Sequence, residues 1–338
     1  MIEADNLCKI YHVHQRGSSF GAALSALWRR KYQTVTALNH VNLHIANGER
    51  VGILGPNGAG KTTLVKLLSG LLHPSGGRLT VEGYMPYRRE TAFLHSMGLV
   101  MGNKGQLIWD LPPADTLDML RVLFKIPEAT YRRTLGELSD LLQLHPVLNK
   151  PTRQLSLGER MRCEVAASLI HLPRVLLLDE PTLGLDVAMQ AALRQFILEY
   201  NRRHNAMILL TSHYVEDIRA ICPRIVIVDN GTIAYDGDLR TFAARQGHEK
   251  IVSFVSQGPL TPPDFMRPSP APLGQRGERV SLRIHRDRLP ECIHFLVEKQ
   301  LAHDLTIEDP PLEEILRRMF GASVPPRPPL PATEGKTE

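Results

Sequence analysis

The sequence predicts an α/β fold, and three stretches carry that prediction. A short apolar run, Val51–Leu54, leads into a glycine-rich turn and then into leucines at helical spacing. A second run, Val175–Leu178, is apolar at four consecutive positions and ends in Asp179-Glu180. A strand without alternation is one buried on both faces of a parallel sheet. The third is Asn230-Gly231, set between two apolar runs at 224–229 and 232–236. That dipeptide tolerates the positive φ of a two-residue hairpin turn.

Composition sets limits on this picture. At about 150 residues per domain, 338 residues make roughly two domains. An apolar fraction of 43% and a charged fraction of 22% are those of a globular chain, which excludes disorder, collagen and coiled coil. Apolar runs such as 175–178 fall far short of the roughly 20 residues that cross a bilayer. The opening, MIEADNLCKIYH, carries acids and lacks a signal-peptide core, so the chain is expected in the cytoplasm unless a partner holds it at a membrane. A net charge of +5 suits a nucleotide, a nucleic acid or an anionic membrane and selects none of them. Cys8, Cys163, Cys222 and Cys292 are scattered, with no C-x-x-C pair, and read as reduced thiols.

The strand at 51–54 is followed by Gly55-Pro56-Asn57-Gly58-Ala59-Gly60-Lys61-Thr62-Thr63. This matches G-x-x-x-x-G-K-[ST], and the strand before and helix after are the context that a phosphate-binding loop requires. Glycines let backbone N–H groups converge on phosphate oxygens, and the helix N-terminus adds partial positive charge. Lys61 is placed to reach the β- and γ-phosphates, and the Thr62 hydroxyl to ligate Mg²⁺. Leu64, Leu67, Leu68 and Leu71 are expected on the inner face of the helix. Asp179 ends a buried strand where α/β sheets bind ligands, so it is expected to hold Mg²⁺, directly or through water. Glu180 is placed to take a proton from an attacking water.

Three more motifs follow in order: LSLGER at 155–160, PTLGLD at 181–186 and TSHYVED at 211–217. With these the chain resembles the ATP-binding-cassette (ABC) ATPases over about residues 1–240. LSLGER is similar to the family's signature, Leu183-Gly184-Leu185-Asp186 to its D-loop, His213 to its switch histidine, and Tyr11 sits where the family stacks an aromatic on adenine. The resemblance implies ATP and Mg²⁺ as ligands. It also implies a head-to-tail dimer in which Ser156 and Gly158 of one subunit close on the γ-phosphate held by the other. The implied fold has an antiparallel β-subdomain near the N-terminus and a helical subdomain over about 95–165 that carries the signature.

Two positions depart from the family. Its glutamine loop corresponds here to GLVMGNKGQLIWDLP, where Asn103 aligns best as metal ligand and sensor and Gln106 is the alternative. The signature ends in Glu159 rather than glutamine. Nearly the whole chain, to about residue 320, resembles the bacterial drug- and viologen-exporter subgroup. That implies an ATP-hydrolysing subunit at the cytoplasmic face of the inner membrane, working with separate membrane subunits and without nucleic acid. A non-transport ABC ATPase acting on nucleic acid or ribosomes, or a regulatory one, is the alternative.

Outside the motifs, residues 16–33 read as an insertion with Phe20, Leu24, Leu27 and Trp28 on one helical face and Arg29, Arg30 and Lys31 after it. Such a helix lies at lipid headgroups or a partner, or packs on its own β-subdomain. Residues 241–320 read as a small α+β domain. Within it lie a proline-rich linker at 258–274 and an amphipathic helix at 290–301 that presents Ile293, Leu296, Val297 and Leu301. The proline-rich end, 321–338, reads as a disordered, solvated tail, with a P-x-x-P at 325–328 as the other reading.

Overall fold

The computed structural model describes residues 1–14, 32–101, 105–212, 214–246, 249–257, 278–298 and 302–320, and the chain divides into two compact units, Met1–Leu239 and Arg240–Glu338. The first unit begins with β1 (Ile2–His14), β2 (Tyr32–Ile45), β3 (Arg50–Leu54), α1 (Lys61–Leu68) and β4 (Gly76–Val81). Next come α2 (Thr91–Ser96), β5 (Met97–Met101), α3 (Pro113–Leu123), α4 (Glu128–Leu141) and α5 (Leu157–Leu169). It ends with β6 (Val175–Asp179), α6 (Val187–His204), β7 (Met207–Thr211), α7 (Val215–Ile221), β8 (Arg224–Asp229) and β9 (Thr232–Asp238).

β1 pairs antiparallel with β2 and β4 in a three-stranded sheet, the antiparallel subdomain expected near the N-terminus. The second sheet has the order β5-β6-β7-β3-β8-β9; its first five strands are parallel, and β9 returns antiparallel to β8. β6 and β7 are buried at every position, as strands covered on both faces must be. One core joins the two sheets through α1: Ile2, Leu38 and Ile45 meet Leu64 and Leu67, and these meet Ile53, Leu177, Leu209 and Val228. The β8–β9 hairpin turns at Asn230 (φ 45°) and Gly231 (φ 77°), the conformation that its dipeptide predicts.

The expected length of α1 needs correction. α1 stops at Leu68, because Gly70 turns left-handed (φ 72°) and the N–H groups of Gly70 and Leu71 return to the carbonyls of Leu67 and Lys66. Leu71 therefore lies beyond the helix and is 45% exposed rather than on its inner face. Gly98-Leu99-Val100-Met101, which reads as a strand from its sequence, lies in β5 of the parallel sheet. Gly98 permits the fit, since a Cβ there would stand 2.5 Å from the Ser168 carbonyl oxygen.

The second unit holds most of α8 (Leu239–Gln246), then β10 (Glu249–Ser256), β11 (Arg279–His285), α9 (Leu289–Glu298), β12 (Ala302–Glu308) and α10 (Leu312–Phe320). Its strands form an antiparallel sheet in the order β11-β10-β12. Val252, Phe254, Val280, Leu282 and Ile284 pack with Cys292 and Leu296 of α9. The buried stripe of α9 is thus Leu289, Cys292 and Leu296, not the stripe through Val297, which is 62% exposed. Cys292 behaves as a small hydrophobe and rotates the face. Tyr32 and Gln33 open β2; the rest of the expected insertion, the linker at 258–274, Leu301 and the tail at 321–338 lie outside the described residues.

His171 ties the helical segment to the parallel sheet. Its ring stacks on Phe124, just past α3, at 4.0 Å between centroids, and Nε2 donates to the Met97 carbonyl at 3.0 Å. Burial pushes its pKa from 6.5 down to about 4, against the hydrogen bond to Met97 and with a small downward push from His95. Below pH 6.5 the unfolded chain takes up a proton that the folded chain refuses until about pH 4. Stability should therefore fall as pH drops through that window, by on the order of 3 kcal/mol from this residue. His171→Phe keeps the ring stack and should flatten the slope of urea-unfolding stability between pH 7 and pH 4 by that amount.

Candidate functional site

The glycine-rich turn is held open by its neighbours. Gly55 (φ 151°) passes so close to β8 that a Cβ would stand 2.1 Å from the Val228 carbonyl oxygen, and one on Gly60 (φ 112°) 2.6 Å from that of Ala37. Only glycine accepts both the conformation and the contact. Asn57 and Gly58 are exposed at the tip, while Pro56 is half-buried and Ala59 buried beneath it. α1 starts with Gly60 at its N-cap and no capping side chain, so its first N–H groups are available to an anion, with Thr62 and Thr63 in the same turn. Lys61 Nζ donates back to the Gly55 and Pro56 carbonyls at 2.8 and 3.0 Å. Burial lowers the Lys61 pKa, while the charges of Glu180 and Asp179 raise it, which puts both carboxyl groups within electrostatic reach of the loop.

Those carboxyls stand at the end of β6. Asp179 pairs with Thr211 in the β6–β7 register, and the Thr211 hydroxyl donates to Asp179 Oδ1 at 2.5 Å. Glu180 is left-handed (φ 59°), with its N–H donated to the Thr211 carbonyl at 3.0 Å. A non-glycine residue held there costs about 1–3 kcal/mol and persists only where the surroundings over-determine it. Among the described residues no group of three or more His, Cys, Asp or Glu forms a metal cluster. One hydroxyl (Thr62) and one carboxylate (Asp179) fit Mg²⁺ bound mostly through phosphates and water.

At the start of α5, Ser156 is the N-cap of a capping box. Its Oγ accepts from the Glu159 N–H at 3.2 Å, and Glu159 Oε2 accepts from the Ser156 N–H at 2.8 Å. The hydrogen bonds that Ser156 gives to its carboxylate, the backbone N–H first, hold the Glu159 pKa below the usual carboxylate range. S-x-x-E is the spacing of a capping box, which a glutamine at 159 could also complete. A Cβ on Gly158 would lie 3.2 Å from the Gly184 carbonyl oxygen. Asp186 caps α6, accepting from Met189 N–H at 2.8 Å. Tyr11 lies on β1 opposite Val35, with Lys9 Nζ 5.2 Å from its ring centroid. Asn103 and His213 fall outside the described residues.

Sequence reading missed Glu164. This carboxylate of α5 is only 6% exposed and accepts the N–H groups of Gln106 (2.6 Å) and Leu107 (3.3 Å). Burial raises its pKa and the two N–H groups hold it down. A Cβ on Gly105 would stand 2.1 Å from Glu164 Oε1, so the glycine makes room for the carboxylate. Gln106 turns its own Nε2 to the Leu99 carbonyl at 2.8 Å. Arg160 lies over the Trp109 ring at 5.9 Å. The burial of Glu164 is visible only in the fold, so no local sequence signal marked it.

Comparison with known proteins agrees with this geometry. The family model described as "ABC transporter" matches residues 38–183. The daunorubicin resistance ATP-binding protein DrrA3 of Streptomyces coeruleorubidus is 32% identical over 297 residues, covering 86% of this chain and 93% of that protein. The glucose import ATP-binding protein GlcV of Saccharolobus solfataricus is 34% identical over 207 residues, covering 60% of this chain and 58% of that protein. A solved ATP-binding subunit of an ABC transporter superposes with a TM-score of 0.60 at 22% identity, over 73% of this chain and 93% of that one.

Removing the Glu164 acceptor leaves two amides unpaired in a partly dry position, a loss of about 1–3 kcal/mol. Glu164→Ala should accelerate hydrogen exchange at the Gln106 and Leu107 amides by about 5- to 150-fold, the equivalent of that energy, and leave 55–63 unchanged. Unchanged exchange at both amides would show that other contacts hold the segment.

Proposed function

This chain belongs to the ATP-binding proteins of ABC transporters and is an ATPase, and we propose that it powers an exporter by closing head to tail on ATP with a second copy of itself. One observation carries the reading: Ile53, just before the phosphate loop, and Asp179, just before Glu180, both pair with Thr211, so the loop and the two acids leave the sheet at one level. In this reading the N–H groups of 58–63 and the Lys61 ammonium bind the phosphates, and Tyr11 stacks on adenine. Glu180 takes a proton from the water whose oxygen attacks the γ-phosphorus, ADP is the leaving group, and His213 contacts the γ-phosphate. Ser156 and Gly158 of the second copy complete the site, and Asp186 holds the D-loop there by capping α6. Thr62 and Asp179, with Asn103 as the further ligand expected from the sequence, would hold Mg²⁺, which would supply neutralisation of phosphate charge.

Direction and partner are supported separately. The 297 residues matched in DrrA3 exceed the 239 of the first unit, so that resistance protein shares part of the second unit as well. The 207 matched in the import protein do not require it. Among the described residues no helix is long and apolar enough to cross a membrane. Ile108, Trp109, Leu111, Met119, Val122 and Leu123 are exposed just after the Glu164-held segment and along α3, apolar surface of the kind that meets a partner. We assign it to membrane-spanning subunits at the cytoplasmic face of the inner membrane. ATP favours the closed pair by its differential affinity for that state, and hydrolysis reopens it.

Glu180→Gln should lower hydrolysis by about 10²- to 10⁴-fold, the usual range for loss of a general base, while retaining ATP. Size-exclusion chromatography should find this variant as a dimer with ATP and Mg²⁺ and as a monomer without them. Wild-type turnover would remove Glu180 from its role, and a monomer under both conditions would remove the paired site.

A further inference from the structure

Asp217, on α7, is fully buried and its carboxylate accepts three side-chain hydrogen bonds. Its Oδ2 accepts from the Thr182 hydroxyl at 2.6 Å and from the Ser212 hydroxyl at 2.8 Å. Its Oδ1 accepts from Arg194 Nε of α6 at 2.6 Å, which balances the buried charge. Ser212 Oγ in turn accepts from the Tyr214 N–H at 3.0 Å. Thr182 and Ser212 are 1% and 7% exposed, so neither hydroxyl has water as a ready substitute. A buried charge with three donors is worth little as net stability, yet losing one partner is costly, so such a cluster acts mainly by fixing geometry.

What it fixes is the chain on both sides of a strained residue. Thr182 lies two positions after Glu180, whose left-handed backbone must be imposed from outside. Ser212 follows Thr211, whose carbonyl receives the Glu180 N–H and whose hydroxyl binds Asp179. One carboxylate therefore clamps the segment leaving Glu180 to the segment that holds it. We propose that Asp217 is a positioning residue for hydrolysis, fixing the conformation of Glu180 through Thr182 and Ser212. The proposal rests on the reading of Glu180 as the group that takes the water's proton.

The test removes the clamp's contact without removing its charge. Thr182→Val should lower kcat by about tenfold to a hundredfold, the scale of a misplaced catalytic group, while KM and ATP affinity stay within about twofold. Thr182→Ser, which keeps the hydroxyl, should restore most of the rate. Added to Glu180→Gln, Thr182→Val should cause no further loss, since it acts through Glu180. A wild-type kcat in Thr182→Val overturns the proposal, as does an equal further loss in the Glu180→Gln background. Wild-type hydrolysis in Glu180→Gln alone overturns the underlying reading instead. If Thr182→Val does not fold, Ser212→Ala breaks the other half of the clamp, with the same expected and overturning results.

Discussion

Ile53 of β3 and Asp179 of β6 both pair with Thr211 of β7, so three buried parallel strands finish at one level of the sheet. The rest of the site hangs on that level finish. Past Ile53 and Leu54 the chain must turn, and it turns as the phosphate loop; at Asp179 it must turn again, and it turns through the strained Glu180. β6 and β7 are buried at every position and β3 from Val51 onward, so a slip in register would expose apolar side chains or bury polar ones at the strand ends. The core that α1 shares with both sheets then aims the helix N-terminus at the space above the strand ends.

Around that fixed centre, the segment after β5 is fastened to the start of α5. Glu164 accepts two N–H groups from it, the Leu111 carbonyl accepts from both the N–H and the hydroxyl of Thr152, and Arg153 pairs with Asp110. A displacement of 105–111 must therefore carry the Ser156 capping box with it. The Arg153–Asp110 pair is solvent-exposed and contributes little on its own. The buried Glu164 contact is the one that makes the two stretches a single body.

Much of this was legible in the sequence because the rules involved are local. The phosphate loop, the β6 strand with its two acids and the Asn230-Gly231 hairpin each declare themselves within a dozen residues. The resemblance to ABC ATPases supplied the antiparallel subdomain. Leu71 was misplaced because helical spacing continues past a helix that Gly70 stops. The face of α9 was misread because Cys292 does not count as apolar in a simple periodicity. Glu164 and Asp217 escaped notice for a different reason. Each is an acid whose partners lie 57 and 58, or 35, 23 and 5, residues away, and no short-range pattern distinguishes it from a solvated one.

The central claim is that the phosphate loop and the end of β6 form one binding site for one nucleotide. Hydrogen exchange of the full chain, with and without a non-hydrolysable ATP analogue, tests it most directly. The account predicts slowed exchange at 55–63 and at 179–183 together, with 249–257 and 278–298 unchanged. Slowing confined to one of the first two stretches, or found in the second unit while 55–63 is unaffected, would contradict it.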